Sequence, residues 1–356
     1  MRAFLLLPLL FLAQPLFGCT GFIEGTVQSA RTSNFPKTWA EQPTAVAVAR
    51  RERLDSALQA QNFVANAQPT AAAPRSELPA AAPAPATAPA LASAPKYVQG
   101  SPQPGAYALI VGVERYRDAP AATGAGIDAQ RYAALALKTL GIPPSHVRVL
   151  RDDRATGGDI DKDVAWVTSN VSARGRIYFF FSGHGAPDPS TGASFLVPYD
   201  GDPQALDTTG IALPKLLDRL SASRASEVFA VVDACFSGSG GRSLLPAGMR
   251  PLVAVRTLRP AAKVALFTAS SGVQTSGPAA GGDGGLFSKM VAEGLGNASA
   301  DLDGDGLVSL DELRAWVTPR VEREARIDRR EQTPQLLIGD DVAEAGATPV
   351  AFGLAH

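Results

Sequence analysis

Two apolar runs in this chain each stop at a reactive side chain. RIYFFFSGHG, beginning at Arg176, delivers His184, and EVFAVVDACFSG, beginning at Glu227, delivers Cys235. A cysteine and a histidine presented together form a nucleophile with its proton-transfer partner, the arrangement needed for covalent attack on a carbonyl. The chain holds 3 His and 2 Cys. His356 is the last residue, His146 lies in the PPSHVRVL transition and Cys19 closes the N-terminal segment. His184 and Cys235 are therefore the pair set for chemistry, and no cysteine is left over to pair in a disulfide.

A second group is acidic. Residues 301–312 read DLDGDGLVSLDE. Numbered as a calcium loop, Asp301, Asp303 and Asp305 take positions one, three and five, and Gly306 makes the turn at six. Leu307 offers its carbonyl, Ser309 sits at nine, and Glu312 is the bidentate twelfth ligand. Four carboxylates this close repel one another unless a cation such as Ca2+ joins them. Ser309 also reads as an N-cap for LDELRAWVTPRVEREARI, a helical pattern in which Pro319 is expected to kink or break the helix.

Elements that deliver these residues follow from periodicity. Both runs before His184 and Cys235 are continuously apolar rather than alternating, the mark of strands covered on both faces in a parallel sheet. In such sheets, ligands bind beyond the carboxyl ends of the strands, so His184 and Cys235 are expected at one rim. YALIVGV (107–113), HVRVL, SFLVPYD and KVALFTAS read as further strands. Helical patterns cover about 127–140, the stretch after Thr156 (a plausible cap), about 213–220 and GLFSKMVAEGL. Strands alternating with helices argue an α/β fold, a doubly wound, mostly parallel sheet flanked by helices.

The chain has 356 residues and a net charge of −1. Its charges are scattered, which excludes a nucleic-acid partner recognised by a basic face. Residues 1–18 read as a signal peptide, with Arg2 as the positive region and an apolar run broken by Pro8 and Pro15. LFGC, ending at Cys19, resembles the bacterial lipobox. That implies lipidation at Cys19 and a lipid-anchored protein of the bacterial cell envelope, at the outer membrane or the periplasmic face. Residues 19–68 carry weak signals. Residues 69–104, rich in Ala and Pro, read as an extended tether. The folded domain spans 105–340, and 341–356 reads as a disordered tail.

At its reactive pair the chain resembles the caspase-like cysteine peptidases, in particular their metacaspase-type bacterial members. YALIVGVERY, Asp128, SGHG, DACFSG and FTASS followed by GLFSKMV carry the resemblance, in that order along the chain. It implies a caspase-like sheet and a peptide or protein substrate. It implies roles for Cys235 as nucleophile, His184 as acid and base, and the Gly185 and Cys235 amides as oxyanion donors. It also implies an acidic substrate pocket of Asp128, Ser182 and Asp233, whose two carboxylates have no evident partner in the sequence and would draw Arg or Lys. Residues 237–262 contain Arg242, Arg250, Arg256 and Arg259, followed by Lys263. The resemblance makes this segment a candidate for self-cleavage, which Cys235→Ala would abolish on a gel. The competing expectation is a catalytically silent caspase-fold scaffold or a calcium-responsive binding module.

Overall fold

The computed structural model describes residues 97–188, 191–236, 258–271 and 274–344, with the main chain of 352 and 353. The signal peptide, Cys19, the Ala/Pro-rich tether and most of the segment expected to be self-cleaved lie outside the described residues. None of the described helices is long and apolar enough to cross a membrane.

The centre is a six-stranded sheet. In chain order its strands are β1 (Tyr107–Gly112), β2 (Val147–Arg151), β3 (Arg176–Ser182), β7 (Glu227–Asp233), β8 (Val264–Thr268) and β10 (Gln335–Ile338). Their spatial order is β10-β8-β7-β3-β1-β2. All pairs are parallel except β10 with β8, which is antiparallel. The chain crosses from β1 to β2 on one side and then returns to place β3 on the other side of β1. The gap between β1 and β3 is thus a topological switch point, where an α/β sheet opens a crevice.

Alternation along the strands divides the core. Ile110, Tyr178, Phe180, Val231 and Phe267 face one side, where they pack against helices α1 (Ala125–Lys138), α5 (Leu286–Gly296) and α6 (Leu310–Ile327). Leu109, Phe179, Phe181, Val232 and Leu266 face the other, against α2 (Gly157–Asn170) and α4 (Leu213–Ser221). Successive side chains of a strand point to opposite faces, so a run such as Phe179-Phe180-Phe181 is apolar throughout because both faces are covered. Each large side chain so buried contributes about 1.5–3 kcal/mol.

Thr156 caps α2, its hydroxyl accepting the Asp159 N–H at 3.1 Å. Several features were not legible in the periodicity. SGHG runs into a small antiparallel sheet of β4 (Gly185–Pro187), β5 (Ser194–Leu196) and β6 (Ile211–Ala212), with the short helix α3 (Leu206–Thr209) before β6. Strand β10 extends the main sheet. Pro319 does not break α6, which continues from Leu310 to Ile327. Buried Trp316, Val317 and Val321 on either side of the proline pin that helix to the core and offset the lost hydrogen bond. The stretch expected to be a disordered tail contains helix α7 (Asp340–Glu344), docked through buried Val342, and strand β11 (Phe352–Gly353). Strand β11 pairs with β9 (Leu307–Val308) inside the acidic loop.

Candidate active site

Register fixes the relation between the two reactive residues. Strands β3 and β7 are parallel neighbours with Ser182 opposite Asp233. His184 and Cys235 each stand two residues beyond that pair, at the carboxyl ends of adjacent strands. The Gly183 N–H still donates to the Asp233 carbonyl at 3.2 Å, so the two chains stay together as they leave the sheet. Gly185 is wedged against the residues on either side of the cysteine. A Cβ at this position would stand 2.8 Å from the Phe236 ring and 3.1 Å from the Ala234 methyl. Only glycine fits there without displacing Phe236.

Both reactive residues are almost fully buried, His184 at 1% exposure and Cys235 at 0%. The His184 Nε2 lies 2.7 Å from the Pro120 carbonyl oxygen. A carbonyl only accepts, so Nε2 carries the proton and Nδ1 is the basic nitrogen of the neutral ring. The His184 N–H donates to the Tyr116 hydroxyl at 2.6 Å, and the two rings approach to 4.8 Å between centroids. Tyr116 and Pro120 both belong to the segment after β1, so the crevice at the switch point holds the imidazole. That segment is anchored by Asp152, whose carboxylate accepts the Glu114 and Arg115 N–H groups at 3.0 and 2.9 Å and pairs with the Arg115 guanidinium at 3.0 Å. Burial alone would push the Asp152 carboxyl up, but these donors outweigh it and hold it below the usual carboxylate range.

Gly185 has one further property. It pairs with Leu196 on β5, and the Val197 N–H donates to the His184 carbonyl at 3.0 Å. Hydrogen-bonded and non-bonded pairs alternate along an antiparallel ladder. Gly185 therefore occupies a non-bonded pair, and its N–H points away from β5.

Cys235 meets a residue that the sequence reading missed. Its sulfur lies 2.9 Å from the Ser276 hydroxyl, receives the Ser276 N–H at 3.0 Å and lies 3.4 Å from the Ser276 carbonyl oxygen. Ser276 is itself fully buried. No periodicity marks this position, because it lies in the irregular stretch between β8 and α5.

Asp128, Ser182 and Asp233 are brought together, all at 0% exposure. The Ser182 hydroxyl donates to Asp128 at 2.7 Å, and Ser182 is the register partner of Asp233. The expectation that the two carboxylates lack partners is corrected. Both Asp128 oxygens lie 3.0 Å from the Gly285 N–H, and Arg131 Nη1 stands 3.4 Å away. Asp233 accepts the Ser288 N–H at 3.1 Å and its hydroxyl at 2.8 Å. Gly285 and Ser288 form the start of α5, so both acids sit at the positive end of that helix. Asp128 lies in the first turn of α1 but turns its carboxylate toward α5 instead of capping its own helix. The close fit demands Gly284, at φ +76°, where a Cβ would overlap Asp128 and Arg131.

In the acidic loop, Asp301, Asp303 and Asp305 each offer an oxygen, all within 4.8 Å of one another. Gly306 turns the chain at φ +80°. Glu312 is buried, accepts the Leu302 N–H at 3.1 Å and forms a capping box with Ser309. The glutamate that closes the loop thus faces the loop's opening turn, as a twelfth-position ligand must. These donors fit a hard cation with oxygen ligands.

The caspase-domain profile of peptidase family C14 matches residues 106–339, and the chain belongs to that family. Its sheet is the caspase-like, mostly parallel six-stranded arrangement, flanked by helices. Among solved structures, the chain is similar to a Geobacter sulfurreducens protein at 18% identity, covering 71% of this chain and 100% of that one, with a TM-score of 0.49. It is also similar to caspase-1 from Spodoptera frugiperda at 16% identity, covering 71% of this chain and 93% of that one, with a TM-score of 0.47. No curated protein matches significantly.

Proposed function

We propose that this member of a cysteine-peptidase family is an active endopeptidase that hydrolyses peptide bonds after Arg or Lys. The observation that supports it most is the shared offset of His184 and Cys235 beyond the Ser182–Asp233 pair. The Cys235 thiol gives its proton to His184 Nδ1, and the sulfur attacks the scissile carbonyl carbon. The carbonyl electron pair moves onto oxygen, where the Gly185 and Cys235 N–H groups donate to it. Collapse of the intermediate expels the amine, which takes the proton back from His184. Water, deprotonated by the same imidazole, then releases the acyl group and restores the thiol.

Asp128, Ser182 and Asp233 supply an acidic floor for a basic side chain. Because Arg131 and the α5 N-terminus already offset part of that charge, selectivity rests on geometry as well as on sign. Ca2+ would be held by Asp301, Asp303, Asp305, the Leu307 carbonyl, Ser309 and Glu312, joining acids that otherwise repel. Acyl chains on Cys19 would anchor the protein to the cell envelope, each buried CH₂ contributing about 0.8 kcal/mol. Cys19→Ala should then move the protein out of the membrane fraction.

The deciding experiment is turnover of fluorogenic peptides ending in Arg, Lys or Asp, with and without Ca2+, beside Cys235→Ala. Turnover of the Arg and Lys peptides that Cys235→Ala abolishes is expected. Equal background rates from both proteins would refute the peptidase and leave the silent scaffold standing. Turnover confined to the Asp peptide would refute the basic preference alone.

A further inference from the structure

We propose that Ser276 is a further catalytic residue, whose amide and hydroxyl hold the Cys235 sulfur as a thiolate before attack. The inference rests on the peptidase reading, since it concerns the same nucleophile. A thiolate accepts hydrogen bonds, whereas a thiol must also place its proton. Ser276 offers this sulfur both possibilities. The Ser276 N–H and hydroxyl stand at 3.0 and 2.9 Å, while the Ser276 carbonyl, the acceptor a thiol would use, stands at 3.4 Å. The Ser276 N–H can only donate to the sulfur, and the hydroxyl can turn its own proton toward it; hydrogen bonds received by a charged group favour its charged form. Hydrogen bonds to ionised groups are also the shorter and stronger ones. The S–H bond breaks with its proton passing to His184 Nδ1. Ser276 keeps both of its own protons.

The segment carrying Ser276 is fixed from behind. The Gly277 N–H donates to Gln332 Oε1 at 3.2 Å, and Gln332 Nε2 donates to the Ala269 carbonyl at 3.2 Å. Gln274 Oε1 accepts the Thr333 N–H at 2.8 Å. Arg330 Nη2 donates to the Pro278 carbonyl at 3.3 Å and packs so tightly on Gly277 that a Cβ there would overlap its guanidinium. Gln332 is 2% exposed and touches Gly277 rather than the sulfur. Amide and hydroxyl are thus aimed by a rigid support, as preorganised donors must be.

Among the described residues, the ionisable groups on the elements that converge on this site include His184 after β3, Asp233 at the end of β7, and Asp128 with Arg131 on α1. Arg330 lies behind the Ser276 segment. His184 favours the thiolate when protonated, and the two acids oppose it. The Ser276 donors carry no charge and do not titrate, so their contribution persists across the pH range.

Alkylation by iodoacetamide reports thiolate and needs no peptide turnover, so it separates this inference from the peptidase reading. The full chain is alkylated across a pH series, and the Cys235-containing peptide is quantified by mass spectrometry, which sets Cys19 aside. The parent should show a midpoint below the free-thiol value of about 8.5. Ser276→Ala keeps the amide and loses the hydroxyl. Its midpoint should rise by about one unit, which is about a tenfold slower rate one unit below the parent midpoint, with an unchanged plateau at high pH. Ser276→Thr should restore the parental profile. Gln332→Ala, which loosens the amide without touching the sulfur, should raise the midpoint by a smaller amount. It serves as the second variant if Ser276→Ala loses its cooperative melt. Coincident midpoints for parent and variant would overturn the proposal. A rate change equal at every pH would also overturn it, reducing Ser276 to a cover over the thiol.

Discussion

Replacing Tyr116 with Phe tests how the imidazole is held. The substitution deletes one oxygen and leaves the ring, so packing is conserved and the 4.8 Å contact with the His184 ring survives. What disappears is the acceptor that stands 2.6 Å from the His184 main-chain N–H. Depriving a buried donor of its partner costs about 1–3 kcal/mol. In a domain of this size each kcal/mol lowers the melting temperature by about 2–4 °C. A fall of several degrees is therefore expected by differential scanning fluorimetry. The second readout is kinetic. A displacement of about 1 Å at a reacting group costs on the order of a hundredfold in rate, and Tyr116 acts on His184 rather than on the peptide. On the peptidase reading, kcat should fall about tenfold to a hundredfold while KM stays near its parental value. A variant that melts with the parent and turns over with the parental kcat would refute this account of Tyr116. A large rise in KM alone would move the residue into the substrate site.

Asp152→Asn addresses the anchor behind Tyr116. The Asp152 carboxyl is held below its ordinary value, so its contribution is fully present above that value and is lost as pH falls through the lowered folded one. The asparagine variant should be less stable than the parent at neutral pH, and the two should converge in acid. Parallel stability curves with no convergence in urea titrations would contradict it. If the acidic loop holds Ca2+ as proposed, a hundredfold excess of the ion over its Kd should stabilise the protein by about 2.7 kcal/mol, a rise of several degrees in melting temperature that chelator should reverse. Asp301→Asn should shrink that rise, and a melt indifferent to both Ca2+ and chelator would exclude the cation.

Much of the framework could be read from residue order because both-face burial leaves a strong mark. Runs such as RIYFFFS and EVFAVVD have no amphipathic alternation to confuse with an exposed strand, and the parallel sheet follows. His184 and Cys235 stood out because each ends such a run. The positions of Tyr116, Pro120, Ser276 and Gln332 were not readable, because each acts through a contact between segments distant in sequence. Pro120 contributes a carbonyl and Ser276 an amide, groups that every residue owns and that leave no compositional trace. The partners of Asp128 and Asp233 were missed for the same reason, since Gly285 and Ser288 donate main-chain N–H groups from a helix start far along the chain. Pro319 misled because local propensity argues against a helix that burial of Trp316 and Val321 sustains.

The pairing of Phe352–Gly353 with Leu307–Val308 ties a strand from well beyond the main sheet to the middle of the aspartate-rich turn. An affinity handle, a fluorescent fusion or exoproteolytic trimming close behind Gly353 would bear on a strand that pairs inside the acidic turn.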